Sequence, residues 1–369
     1  MIRRILVNHF RCFQNLEIKL NEAPSILLLG KNGVGKSTLG TVLSVLQKIG
    51  SGTNRLKDLI GADDYAQGDT GVPIRIEMEA IISAQRFEYT LVVELPIAFH
   101  ESRIMEESLK VDGQPVFTRN LAEVAISKTS TNFLVDWHFV ALPVVQIRPA
   151  NNPIDIFKNW LARMVIVAPI PELMSGSSSE ETLQPERNGS NFASWFSGLL
   201  GQYPASYSVV EKYLRGVMPD FQDFENRPYS DDSKKLFVRF SQNESSALKL
   251  DFKNLSDGEK SFFFAAVVLG ANKFYGPLFI FWDEPDNYLS LSEVGHLIIE
   301  LRRNFERSGQ LIISSHNPEA VRKFSDVNTL VLTRNSHMEP TRPPQWLKEL
   351  NVKGDLVEAL IRGDVANGT

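Results

Sequence analysis

The stretch Gly30-Lys31-Asn32-Gly33-Val34-Gly35-Lys36-Ser37 sets glycines, a lysine and a hydroxyl in an order that suits phosphate binding. The glycines let the backbone curl so that successive N–H groups face one anion. Lys36 offers a cation to β- and γ-phosphate oxygens, and the Ser37 hydroxyl is a ligand for Mg²⁺. An apolar run, Ser25–Leu29, leads into the loop, and apolar residues at helical spacing over Ser37–Ile49 lead out of it. A helix starting near Ser37 would aim its positive end at the same anion. Strand, glycine loop and helix are the setting this chemistry needs.

Three further groups stand later in the chain. Leu278–Pro285 is an apolar strand that ends in Asp283 and Glu284. Asp283 is placed to hold a metal's water shell, and Glu284 to polarise an attacking water. A strand that merely ends at an acidic turn looks the same, and the preceding phosphate loop is what favours chemistry. Leu255-Ser256-Asp257-Gly258-Glu259 opens a helical pattern. It reads either as a second anion site at a helix start or as an ordinary serine cap. Ser314-Ser315-His316 follows a short apolar strand, and His316 could donate to a γ-phosphate or be a bystander.

The elements that must position these residues follow from periodicity. Residues Val72 to Arg148 alternate with period two, with a turn at Asp112-Gly113, and read as antiparallel sheet. Residues 152–163 read as a helix, Val165–Ala168 as a buried strand and Ser175–Ser190 as an exposed loop. Helices are expected at Ala193–Leu200 and Tyr207–Val217, and strands at Lys235–Phe240 and Ala247–Phe252. The last third alternates strand and helix from Ser261 to Leu332, a βαβ series that implies parallel sheet.

Composition narrows the class. The 369 residues are 43% hydrophobic and 22% charged, which fits a packed globular chain. A net charge of −5 argues against coating nucleic acid through bulk charge. Arg302, Arg303, Arg307, Arg322 and Lys323 could form a local basic face or a solvated helix surface. Cys12 is alone, so no internal disulfide forms. The six histidines are scattered, which weakens a metalloenzyme reading. No leader pattern is present, and the longest apolar run, Phe262–Leu269, is too short for a membrane span. A cytoplasmic protein without membrane association is expected.

In order, the four motifs resemble the ABC-type ATPase set of Walker A, signature, Walker B with its glutamate, and switch histidine. The signature and the N-terminal His9-Phe10-Arg11-Cys12-Phe13 resemble the branch that holds SMC, RecF and OLD proteins. Asn188-Gly189-Ser190-Asn191-Phe192-Ala193 is similar to a stretch of RecF/OLD-like ATPases. The resemblance implies an α/β fold: an ABC-ATPase head with a mixed or parallel P-loop sheet, an antiparallel β subdomain and a helical insertion. It implies one head over 1–335, made of an N-terminal lobe (1–150), a helical insertion (151–230) and a C-terminal lobe (231–335), with 336–369 as a tail. Long coiled coil and nuclease domain are not expected.

Carried over by position, Arg11, Asn32, Gly33, Val34, Gly35, Lys36, Ser37 and Thr38 would contact ATP, and Ser37 and Asp283 would hold Mg²⁺. Glu284, His316 and Lys36 would be catalytic. Ser256 and Gly258 would reach the γ-phosphate of ATP on a second copy, so that ATP joins a homodimer. Ser290 stands where the family has an acid after Leu289, which puts subunit cross-talk there in doubt. Gln146, Gln184 or Pro169–Leu173 are candidates for the metal-sensing position. The family implies a separate effector, a nuclease or toxin, with DNA as a possible partner, in DNA repair or anti-phage defence. An ATP-locked scaffold and a transporter subunit are the alternatives.

Overall fold

The computed structural model describes residues 1–97, 99–127, 131–146, 152–230, 232–243, 246–324 and 326–350. The chain divides into two compact units. The first comprises residues 1–23, 28–164 and 326 onward, and the second residues 24–27 and 165–325.

In the first unit, β1 (Ile2–Asn8), β2 (Leu16–Lys19), β4 (Ile74–Ile82), β5 (Gln85–Glu94), β6 (Arg103–Val111), β7 (Gln114–Asn120), β8 (Glu123–Ile126) and β9 (Thr131–Leu134) form one antiparallel sheet. Its order is β2-β1-β4-β5-β6-β7-β8-β9. The period-two pattern is expressed directly, since every second residue of β4 from Ile74 to Ile82 is buried. The β6–β7 hairpin turns at Asp112 and Gly113, both at positive φ, as the Asp-Gly pair predicts.

The sheet stops sooner than the expected Arg148. From Val135 to Gln146 the described chain is irregular and is tied down by side chains. Buried Glu107 accepts the N–H groups of Ala141 (2.7 Å) and Leu142 (2.8 Å), and Arg119 donates to the carbonyls of Phe139 (2.5 Å) and Asp136 (2.9 Å). These bonds satisfy backbone groups that a further strand would have paired. Two helices, α1 (Lys36–Gly50) and α2 (Pro153–Ala162), pack together; a Cβ on Gly50 would lie 2.4 Å from that of Leu161. Phe157 of α2 stacks on Phe87 of β5 at 5.7 Å.

The strand β3 (Ser25–Leu29) is buried throughout and passes from the second unit into the first. At its end Leu29 accepts the N–H of Leu332 at 2.8 Å, just beyond β17 (Thr329–Val331). β18 (Gln345–Trp346) then pairs antiparallel with β17. The stretch from 336, expected as a tail, is therefore built into the unit as far as Trp346.

The second unit holds β10 (Val165–Val167), β15 (Phe279–Asp283) and β16 (Gln310–Ser314), parallel and in that order. β16 also takes a bond from Leu311 N–H to Pro24 at 2.8 Å. Strands covered on both faces read as unbroken apolar runs, as these do. A separate antiparallel sheet contains β11 (Ser177–Ser178), β12 (Phe221–Ser230), β13 (Ser233–Asn243) and β14 (Ser246–Asp251). The 151–230 region, expected as helical, thus supplies α3 (Phe192–Gln202) and α4 (Ser206–Val217) but also β11 and β12. β12 escaped the periodicity reading because Gln222, Asp223 and Glu225-Asn226-Arg227 break up its apolar residues.

The core of this unit is α5 (Asp257–Phe274), apolar on all sides and buried from Lys260 to Asn272. Phe263 meets Phe224 and Phe252, while Phe264 meets Trp195 and Trp282. α6 (Leu291–Arg307) and α7 (Pro318–Lys323) complete the βαβ series.

Candidate functional site

The phosphate loop lies in the first unit. Gly30, Gly33 and Gly35 have φ of 159°, 80° and 106°, and the last two fall in the region that favours glycine. At Gly35 the space is also closed, since a Cβ would lie 2.4 Å from the Phe13 ring and 2.9 Å from Cys12 Sγ. Gly35 is the N-cap of α1 and no side chain caps that helix, which leaves its first-turn N–H groups available to an anion.

Lys36 is 6% exposed, and its Nζ donates to the Gly30 carbonyl (2.8 Å) and the Lys31 carbonyl (3.2 Å). The cation is thus stored across the mouth of the loop on neutral oxygens. Ser37 is exposed beside it, Thr38 is partly so, and Asn32 and Gly33 form the exposed rim. Val34 is buried and anchors the loop from below, its carbonyl accepting from the Thr341 hydroxyl at 2.7 Å. Arg11, at φ 52°, reaches Thr41 Oγ1 of α1 (3.3 Å) and is held by Asp64 (2.8 Å). The structure therefore brings Arg11, Cys12 and Phe13 against the phosphate loop and the first turns of α1.

A segment that the sequence did not single out also rests on the loop. Arg334 donates to the Gly33 carbonyl at 3.0 Å, and the His337 ring would be 3.4 Å from a Cβ at Gly33. Thr341 N–H donates to the Cys12 carbonyl at 2.9 Å. No motif marked these residues, because they act through backbone carbonyls and follow the last apolar strand.

The acidic strand end lies in the second unit, where β15 and β16 end side by side. The Ser314 hydroxyl donates to Asp283 Oδ1 and accepts the Glu284 N–H at 3.0 Å. That N–H also meets the Ser314 carbonyl at 3.1 Å. Glu284 sits at φ 52°, a left-handed conformation that costs a non-glycine residue roughly 1–2 kcal/mol. His316 Nε2 lies 3.6 Å from Glu284 Oε1, and both side chains are partly exposed. Ser315 is buried and donates to Asp286 Oδ2 at 2.9 Å, and it accepts the Asn317 N–H at 2.9 Å. Desolvation by burial pushes the Asp286 carboxyl above the usual carboxylate range; the Ser315 bond opposes this and Glu284 reinforces it.

The signature stretch also belongs to this unit. Ser256 caps α5 in a reciprocal box with Glu259: its hydroxyl donates to Glu259 Oε2 at 2.7 Å and accepts the Glu259 N–H at 3.3 Å. The cap is real, so the sequence alternative of an ordinary cap describes the single chain. Gly258 faces the turn after β15, and a Cβ there would be 3.2 Å from the Tyr288 carbonyl.

Of the other residues singled out by sequence, Gln146 is exposed in the irregular segment. Gln184 is bound into its own loop, its N–H donating to Thr182 Oγ1 at 3.0 Å and its carbonyl accepting from Asn191 at 3.0 Å. Pro171–Leu173 is a short 3-10 turn whose Pro171 carbonyl accepts from Lys260 at 3.2 Å. The basic cluster is largely neutralised: Arg302 pairs with Glu306, Arg303 with Glu300, and Arg322 and Lys323 with Glu319. Arg302 is further folded onto the Phe324 ring at 4.9 Å. Arg303 and Arg322 are well exposed, whereas Arg302 is mostly covered.

The family model described as the RecF/RecN/SMC N-terminal domain matches residues 1–339, and the chain belongs to that family. An SMC head bound to the C-winged-helix domain of ScpA has the same fold, with a TM-score of 0.59 and 14% identity over 94% of this chain and 98% of that one. The Smc head domain with an extended coiled coil, bound to the C-terminal domain of ScpA from Pyrococcus furiosus, gives 0.55 and 13% over 94% and 97%. No curated protein matches the chain. The fold is that of an ABC-type ATPase head of the SMC/RecF branch, mixed α/β with a large antiparallel sheet, as the motifs implied. No helix among the described residues is long and apolar enough to cross a membrane.

Proposed function

We propose that the chain binds Mg-ATP and hydrolyses it to ADP and phosphate as a dimer joined by ATP. Lys36 and the loop N–H groups bind the phosphates, with Arg11 beside the helix they precede. Ser37 and Asp283 are the oxygen donors for Mg²⁺, a hard cation that prefers such ligands. When bound, the metal neutralises charge on the phosphates. Glu284 takes the proton of the attacking water as its oxygen bonds to the γ-phosphorus and the bond to the bridging oxygen breaks. His316 donates to the γ-phosphate. Ser256 and Gly258 act on the nucleotide of the second copy.

The observation that carries this reading is Glu284 itself. A glutamate forced to φ 52°, with its N–H bonded twice to Ser314, presents a partly exposed carboxylate beside His316. An ATP-locked scaffold has no need of a water-polarising acid.

The cycle is proposed to gate a separate effector chain in DNA repair or anti-phage defence. Family membership supports this by analogy, as SMC heads are found with a ScpA domain bound. The paired basic cluster lends no support to DNA contact at that helix face.

Glu284→Gln is the test. It keeps size and hydrogen bonding and removes basicity. ATP affinity stays at the native level, turnover falls by at least about 100-fold, and light scattering finds an ATP-dependent dimer accumulating. Native turnover in this variant assigns the water-polarising role elsewhere.

A further inference from the structure

The Glu284 carboxylate has one hydrogen-bonded partner and one near neighbour. Asn287 Nδ2 donates to Glu284 Oε2 at 3.0 Å, and His316 stands 3.6 Å from Oε1. A carboxylate only accepts, so the amide nitrogen of Asn287 is the end that faces it. The Asn287 N–H also closes the turn onto the Glu284 carbonyl at 3.3 Å. The backbone of Glu284 is fixed by Ser314, but that leaves the rotations of its own side chain, which is 38% exposed. A side chain with this freedom keeps a defined carboxylate plane only where partners hold it.

We infer that Asn287 is a positioning residue for hydrolysis, orienting the Glu284 carboxylate through Oε2. The inference rests on Glu284 as the water-polarising group. A neutral donor suits this task. It fixes one oxygen without adding a cation beside the carboxylate, as a lysine or arginine would. Among the described residues, titratable groups about Glu284 include Asp283 at the strand end, Asp286 in the same turn and His316 from the loop after β16. None of these acids can replace the amide as a donor while ionised.

The test compares Asn287→Ala, Asn287→Asp and Glu284→Gln by steady-state ATP hydrolysis against pH. Asn287→Ala lowers kcat by about tenfold or more with KM for ATP within about twofold, because orientation and not binding is lost. Asn287→Asp is similarly impaired at neutral pH, where two carboxylates face each other. It recovers as pH falls, when the pair shares one proton and the introduced carboxyl becomes a donor. Asn287→Ala shows no such recovery. The inference is overturned if both Asn287 variants keep native kcat and native pH profiles while Glu284→Gln is inactive. If Glu284→Gln itself turns over normally, the reading of Glu284 fails and the inference with it.

Discussion

The Asp286 carboxylate accepts a 2.9 Å hydrogen bond from the Ser315 hydroxyl, and both side chains are buried. Its other oxygen has no hydrogen-bond partner among the described residues. Burial raises its carboxyl above the usual range, so the folded chain holds a proton there more tightly than the unfolded chain does. The associated stability is fully present below the unfolded value and is lost as pH rises through the folded one. Asp286→Asn removes the ionisation and keeps an acceptor for Ser315. The variant melts higher than the native protein at about pH 8, and the gain shrinks toward about pH 4. An equal or lower melting temperature at the higher pH contradicts the account.

Lys36 stands on the carbonyls of Gly30 and Lys31, contacts that need no nucleotide. Lys36→Ala removes the donor to these two carbonyls and leaves the fold intact. Calorimetry is expected to show ATP affinity reduced by about tenfold or more, since a charge-assisted bond is worth roughly 1.5–3 kcal/mol, with no turnover. Native affinity removes Lys36 from the site.

Gly35 is fixed by conformation and by space together. Gly35→Ala places a methyl 2.4 Å from the Phe13 ring at φ 106°. The cost is on the order of 2–5 kcal/mol, the sum of left-handed strain and overpacking. Phe13→Ala in the same chain relieves the overpacking and leaves the strain. The double variant is therefore less destabilised than the two single losses added together, a coupling read from denaturation midpoints. Strict additivity means that the ring does not define the loop.

Ser256 is capped by Glu259 within its own chain. In the dimer proposed here it exchanges that partner for a γ-phosphate on the second copy. Ser256→Arg keeps ATP binding and blocks dimer formation and turnover. Mixing it with Lys36→Ala, each inactive alone, restores partial activity, because one composite site then combines native Lys36 with native Ser256. Concentration-independent hydrolysis by Ser256→Arg as a monomer rejects the dimer.

The residues proposed to meet phosphate and metal were legible because that chemistry fixes residue type and spacing. Gly30 to Ser37 must be this short and this rich in glycine to wrap an anion, and Asp283 and Glu284 must end an apolar strand. The period-two stretch gave the antiparallel sheet for the same reason, since alternate faces see core and solvent. What the sequence did not reveal is how these residues are held. Ser314 grips Asp283 and Glu284 only because β15 and β16 run parallel in register. Asp286 and Ser315 meet across the same two strand ends, 29 positions apart in sequence. Arg334 and Thr341 support the phosphate loop through backbone carbonyls, which every residue possesses, so no pattern of types can announce them. β12 stayed hidden because its polar residues face an ion-paired surface that exists only once β13 lies beside it, with Asp223 against Arg239. Local chemistry writes itself into spacing; contacts between distant segments depend on register, and register is decided by the packed sheet.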